Sequence, residues 1–407
     1  MKFPRKYPQL LRATAAAAFA WFTLQPGTVH AQLAPPAPAA AAPAPAEKKE
    51  HWYDKLKIRG YTQVRYNRLF ESNDRLVNIQ GDRSIGDGGG FFLRRARVVL
   101  YGDVHEQVSV YLQPDFASAI NDQLNVTILR DWYADVFLDK SKELRVRVGQ
   151  SKVPFGFENM QSSQNRVPFD RSDPINSAPK DERDIGVFVY YAPKAIRERF
   201  KYLVDSGLKG SGDYGMVALG VYNGQTANRR ELNDEPHVVA RAAYPFQIGK
   251  QIVELNLGGY TGKYYVGKDK DVGGPNEIRD VRAYGAFILY PQPIGLQVEY
   301  NIGRGPEFDK ANNRIKQDWL SGGYALATLK LGNVIPYVRV SMYDGGRKFE
   351  TNSPLYKVRE VEAGVEWQVF KALELTVAYN EAERTFPEKP YPQESGRFLR
   401  LQCQFNY

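Results

Sequence analysis

Cationic side chains at alternate positions are the chemistry this sequence offers. LKIRGYTQVRY (56–66) places Lys57, Arg59, Gln63 and Arg65 on one parity and Ile58, Val64 and Tyr66 on the other. FFLRRARVVLYGDV (91–104) does the same with Arg95 and Arg97 against Ala96, Val98 and Leu100. ELRVRVGQ (143–150) repeats it with Arg145 and Arg147 against Leu144, Val146 and Val148. Arg282, Arg339 and Arg400 stand on the same parity in later stretches. A guanidinium is planar, permanently charged and able to donate two parallel hydrogen bonds, so a row of them suits a carboxylate or phosphate. Acids share the parity: Asp131, Asp135, Glu254, Glu299, Glu360, Glu362 and Glu366. The bases concentrate early and the acids in 357–370. Opposed walls of unlike charge, with a transverse field between them, are the expectation.

Other chemistries are poorly served. Nucleophilic catalysis needs a nucleophile beside a base. Of the four histidines, His30 lies in the N-terminal stretch, and His51, His105 and His237 fall before or at strand ends without a matching serine. The single cysteine, Cys403, permits no intrachain disulfide, and no Cys/His cluster has zinc-ligand spacing. No metal, cofactor or enzymatic activity is expected. The formal charge is +9, but four of the basic residues lie before residue 13, and no clustered basic stripe points to nucleic acid.

The elements that must carry these arginines are strands. Period-two alternation recurs from Leu56 to the C-terminus in about sixteen segments. Mean hydropathy is −0.48, and no run approaches the roughly 20 apolar residues of a membrane helix. A transmembrane barrel escapes that test, because only every second residue meets lipid. Connections alternate short (105–106, 139–142, 247–250, 291–293, 331–332, 371) and long (67–90, 151–183, 225–236, 266–277, 304–315, 344–356, 385–396), as in a barrel with short periplasmic turns and long outer loops. The fold class expected is all-β: a sixteen-stranded antiparallel transmembrane β-barrel in outer-membrane lipid. One connection breaks the rule. In 193–212, Ile196, Phe200, Leu203 and Val204 have helical spacing, which predicts a short periplasmic helix ending near Gly207; the alternative is an extra pair of short strands.

The segment 151–183 is polar, rich in Pro, Gly, Ser and Asn, and without periodicity. Long structureless segments in compact folds are usually functional, and this one is expected to fold back into the barrel and narrow the lumen. Its constriction residues are Lys152, Pro154, Phe155, Glu158, Arg166, Asp170 and Arg171. The pore-lining, anion-contacting set is Arg59, Arg65, Arg95, Arg97, Arg145, Arg147, Lys152, Arg339 and Arg400. Residues 1–31 read as a secretory signal: Lys2, Arg5, Lys6 and Arg12, an apolar core at 13–24, and the small-x-small site Val29-His30-Ala31. Residues 32–55 form an Ala/Pro-rich periplasmic linker, and 56–407 the barrel. Trp52 and Tyr53 stand where an interfacial aromatic belt would begin. In the last strand Leu399, Leu401, Cys403, Phe405 and Tyr407 fall on one side, Arg400, Gln402, Gln404 and Asn406 on the other.

FFLRRARVVLYGDV, LRDWYADVFL and LRVRVGQSKVPFGFENMQSS with FDRS resemble the phosphate-selective porin O and P family, over roughly 56–407. The resemblance implies a trimeric outer-membrane porin whose third outer loop enters the channel, passing small hydrophilic solutes and favouring anions through inward basic residues. Terminal Tyr407 resembles the signature read by the barrel-assembly machinery. The segment 151–183 departs from a basic constriction, since Lys152, Arg166, Arg171, Lys180 and Arg183 meet Glu158, Asp170, Asp173, Asp181 and Glu182. A second reading is a receptor or adhesin barrel without open conduction, although 32–46 is too small to be a plug.

Overall fold

The structure is a computed structural model, which describes residues 51–70, 89–120, 123–172, 183–385 and 393–407. Among them are sixteen strands: β1 (Leu56–Leu69), β2 (Gly89–His105), β3 (Val108–Ile120), β4 (Gln123–Phe137), β5 (Leu144–Lys152), β6 (Arg183–Tyr191), β7 (Val217–Tyr222), β8 (His237–Ile248), β9 (Gln251–Tyr265), β10 (Glu277–Leu289), β11 (Ile294–Asp309), β12 (Arg314–Leu329), β13 (Val334–Gly346), β14 (Leu355–Phe370), β15 (Leu373–Thr385) and β16 (Gln393–Asn406). Each pairs antiparallel with its sequence neighbours, and β1 pairs with β16 from Tyr61↔Asn406 to Leu69↔Phe398, closing the barrel. Gly60 and Tyr407 add a reciprocal pair of backbone hydrogen bonds at that seam, of 2.6 and 3.0 Å. Closure leaves no strand edge, which is what lets a sheet sit in lipid.

Alternation sorts the side chains as expected. In β10, Ile278, Asp280, Arg282, Tyr284, Ala286 and Ile288 point inward and are buried, while Val281 and Phe287 face out. The outer surface carries Ile58, Val187, Leu219, Leu257, Val338, Val361 and Val377. Exposed Tyr191, Tyr244, Phe246, Trp367, Phe370, Phe405 and Tyr407 stand near strand termini at the short-turn end, and Trp52 and Tyr53 are exposed in the turn of helix before β1. Amphipathic rings at that level match a membrane interface.

Two departures matter, and one expectation about a connection is met. The long connection expected at 304–315 is a continued ladder: β11 and β12 pair as far as Asp309↔Arg314 around a single turn, with Asn313 left-handed at φ 46°. Buried Ile315 and the adjoining Phe308 join Tyr264, Val266 and Ile278 in a small apolar cluster, which rewards the extra pairing. The strand expected over 214–224 is shortened to Val217–Tyr222, between Gly215 and Gly224, both at positive φ. The helix expected within 193–212 forms at Lys194–Asp205 and stops before Gly207, at φ 67°. It packs Ile196, Phe200 and Leu203 against the barrel interior. The expected loops 67–90 and 385–396, the later part of 151–183, and the leader and linker to residue 50 lie wholly or largely outside the described residues.

Candidate functional site

The segment after β5 crosses the lumen and is tied to its far wall. Gly156, at φ 78°, turns the chain into a single helical turn, Phe157–Met160. The N–H groups of Phe157 and Glu158 donate to one carboxylate oxygen of Glu299 on β11, at 3.1 and 3.0 Å. Phe155 packs edge-on against Tyr260 of β9 and Tyr284 of β10. The chain then returns toward the seam. The Ser163 carbonyl accepts from Gln63, and the Gln164 carbonyl from Gln404. Val167 and Phe169 sink between Tyr324, Leu326, Ile335 and Tyr337. Each large apolar side chain so buried contributes about 1.5–3 kcal/mol, so the described part of this loop is a fixed partition.

A second segment bounds the lumen at the short-turn end. The helix Lys194–Asp205 and residues 206–213 run from one wall to the other. Lys194 N–H donates to Glu143, and Arg199 to the Pro245 carbonyl. On the opposite side Lys209 reaches Glu366 at 2.5 Å and Glu374 at 3.6 Å, and Lys330 donates to the Gly207 carbonyl. Burial disfavours charge on Lys209, but the two glutamates outweigh it and hold its pKa above the ordinary value. Gln161 donates to the Lys209 carbonyl, which joins the loop to this strap.

Between loop, strap and the β1–β5 wall lies a cavity of about 760 Å³. Eleven basic side chains among the described residues line it: Arg59, Arg94, Arg95, Arg97, Arg130, Arg147, Lys152, Arg166, Arg171, Arg183 and Lys371. Among the described residues four acids do: Asp131, Asp170, Asp205 and Asp213. Some of the bases are neutralised in place. Arg147 forks onto Asp135 at 2.7 and 2.9 Å, Arg97 meets Asp115 at 2.7 Å, and Arg183 meets Asp131 at 3.0 Å. Others are not. Lys152 donates to the carbonyls of Met160 and Gln161 at 2.7 and 2.8 Å and pairs with no carboxylate among the described residues. Arg166 is buried with its Nε and Nη1 lacking a hydrogen-bond partner among the described residues. Burial lowers its pKa to about 10, against the pull of Glu158 and Asp170, so it stays charged at neutral pH. An unpaired buried guanidinium is costly.

The structure divides the residues singled out above. Arg59, Arg95, Arg97, Arg147, Lys152, Arg166, Asp170 and Arg171 meet on the cavity. Arg65, Arg145, Arg339 and Arg400 point inward as expected, but they are not on its surface. Arg65 and Arg400 bind Asp170 from behind the loop, Arg339 binds Glu158 and Glu362, and Arg145 binds Asp213. Pro154, Phe155 and Glu158 are buried in the loop's anchorage to the wall. The transverse field is corrected too. Glu360, Glu362 and Glu366 pair locally with Arg384, Arg339 and Lys209, and the loop stands between them and the cavity. Of the five bases and five acids of the segment 151–183, Asp173, Lys180, Asp181 and Glu182 lie outside the described residues. Glu158 turns to Arg339 and Ser172, whereas Lys152, Arg166 and Arg171 face the cavity.

Two cavity residues break the period-two rule. Register shifts between Gln63↔Arg95 and Val64↔Leu93, leaving Arg94 as an extra residue of β2. It shifts again between Gln113↔Asp131 and Pro114↔Leu129, leaving Arg130 as an extra residue of β4. A β-bulge re-aims a side chain that strict alternation sends outward. Arg94 thereby reaches Asp170, and Arg130 comes within 3.5 Å of Asp115. Pro114, which has no N–H for the ladder, was the legible signal for the second bulge.

A model of the family described as phosphate-selective porin O and P matches residues 67–407. Solved structures of similar fold include the outer membrane channel DcaP of Acinetobacter baumannii, at 14% identity over 86% of this chain and 97% of that one, with a TM-score of 0.56. Another is OmpF of Salmonella typhi in complex with daunomycin, at 11% identity over 86% and 97%, TM-score 0.56. A third is an anion-selective porin from Comamonas acidovorans, at 10% identity over 86% and 99%, TM-score 0.54. At such identities the likeness concerns the fold. No curated protein sequence matches the chain.

Proposed function

The chain belongs to the phosphate-selective porin O and P family, and on that footing we propose that it passes small hydrophilic anions, oxyanions foremost, by passive diffusion through the arginine-lined cavity. It is an outer-membrane channel rather than an enzyme. The observation that carries the anion preference is the imbalance on the cavity surface, eleven bases against four acids among the described residues, with Lys152 and buried Arg166 in no ion pair there. Charges lining a narrow pore set the sign of the ions that enter it. The anion-selective porin from Comamonas acidovorans, similar in fold, makes the same preference reasonable here.

The loop limits solute size in this reading, and the strap forms the exit. Residues 1–31 act as a cleaved leader, 32–55 as a periplasmic linker and 56–407 as the barrel. The protein assembles as a homotrimer in outer-membrane lipid, and Tyr407, at the seam with Gly60, is the residue offered to the assembly machinery. Planar-bilayer recording across a chloride gradient tests the reading. The reversal potential is expected on the anion side, with inorganic phosphate reducing the chloride current. Cation selectivity would remove the anion preference while leaving the pore.

A further inference from the structure

Asp170 stands where the loop meets the wall arginines, and it uses the same donors a passing oxyanion needs. Its Oδ1 accepts from Arg94 Nη2 at 2.9 Å, Arg94 Nε at 3.2 Å and Arg95 Nη2 at 3.2 Å. Both arginines line the cavity, and so does Asp170. Its Oδ2 accepts from Arg65 at 2.6 Å and Arg400 at 3.5 Å, which lie behind the loop. Four guanidinium groups thus converge on one carboxylate. The surrounding loop is held by other means. Phe169 N–H donates to Glu362, the Asp170 carbonyl accepts from Arg339 at 2.7 Å, and Ser172 donates through its N–H and hydroxyl to Glu158. Phe169 is buried in the cluster with Tyr337. Four arginines on one carboxylate are more than a loop already fixed on both sides needs as an anchor, and they are the donor set of an anion site.

We infer that Asp170 is a specificity-determining residue: a tethered carboxylate that competes with passing oxyanions for Arg94 and Arg95, and so keeps binding weak enough for release. This rests on the oxyanion reading above. The physics is mass action. An arginine bonded to a carboxylate must exchange that partner before it can grip a phosphate oxygen, and the negative charge also repels the incoming anion. Conduction requires a site that attracts without retaining. Arg166, four residues earlier and without a bond to Nε or Nη1 among the described residues, supplies the attraction. Asp170 supplies the release.

The test uses the full-length protein in planar bilayers, with chloride as the current carrier and inorganic phosphate as the probe. Asp170→Asn keeps the shape and removes the charge, and the phosphate concentration for half-block is expected to fall about tenfold. Asp170→Glu keeps the charge and is expected to retain the wild-type value. The exclusion limit for neutral polyethylene glycols reports the loop's position and is expected to be unchanged in both. An unaltered or weaker block in Asp170→Asn overturns the inference, as does a raised polymer limit with the block lost, since the carboxylate would then be a latch alone. A wild-type channel that phosphate does not block overturns the oxyanion reading and this inference together. A wild-type block with no change in Asp170→Asn overturns only the latter.

Discussion

The β1–β5 wall and the β6–β10 wall obey the same alternation and meet opposite fates. On the first, inward positions hold Arg59, Arg95, Arg97, Tyr111, Tyr133 and Arg147, and they face a cavity. On the second, Phe188, Tyr190, Tyr222, Val239, Ile252, Tyr260, Tyr284 and Ile288 are buried against Phe155 and Phe157 of the loop and Ile196, Phe200 and Leu203 of the strap. Apolar inward residues need something apolar to meet. Two connections provide it, and the lumen is filled on that side. The difference teaches that period two decides inside from outside, not wet from dry. What decides the latter is whether the inward residues are polar and whether an apolar segment is near enough to cover them.

Four experiments break or sharpen that contrast. The largest effect is expected from the joint substitution of Phe155 and Phe157 by Ala. Each truncation removes a fully buried ring and costs about 3–5 kcal/mol of loop packing. The loop should then leave the β6–β10 wall, raising both single-channel conductance and the polymer exclusion limit. Unchanged conductance would mean that the packed side does not hold the partition. Next is Lys209→Met, which leaves Glu366 and Glu374 without their cation. Breaking a buried pair costs about 3–5 kcal/mol, and the exit is expected to widen, seen as faster uptake of bulky anions by liposomes. A smaller effect separates the two walls by charge. Arg166→Gln on the cavity should move the reversal potential toward zero by several millivolts, on the order of a twofold change in permeability ratio. Arg241→Gln, behind the packed side near Glu254 at 3.8 Å, should leave it where it was. Equal shifts would erase the distinction.

The smallest effect concerns pH. Burial opposes the charge on Asp170 and Asp213, but Arg65, Arg94, Arg95 and Arg400 outweigh it at the first and Arg145 and Arg197 at the second. Both pKa values are therefore depressed, Asp213 to about 2. Their contribution to closure is complete above the ordinary carboxylate value near ~3.9 and is lost as pH falls through the depressed one. Lys209 is raised, so its contribution is complete below the ordinary lysine value near ~10.4 and is lost only as pH rises past the raised one. These three groups should give conductance no step between about pH 5 and pH 9. A step within that window would assign closure to other groups.

The barrel was legible because each strand carries its own two-face pattern, and because long and short connections alternate. The helix at Lys194–Asp205 was legible from Ile196, Phe200 and Leu203, whose spacing fits a helix and not a strand. The site was legible only in part. Parity placed Arg65, Arg339 and Arg400 inside, but nothing local says that the loop lies over them. Arg94 and Arg130 were hidden because one extra residue reverses the rule that would find them. The acids of β14 looked like a free wall because their partners, Arg339, Arg384 and Lys209, come from other segments. Contacts across a lumen join residues far apart in sequence, and periodicity carries no trace of them.

Those two extra residues have a consequence for how such a channel can change. Inserting one residue into a strand ordinarily turns every later side chain to the wrong medium. In β2 the slack is absorbed where it arises: pairing resumes at Leu93, and Phe91 and Leu93 still face outward. A lineage could therefore gain or lose a positive charge in its conduit by a one-codon insertion or deletion, with the hull left as it was.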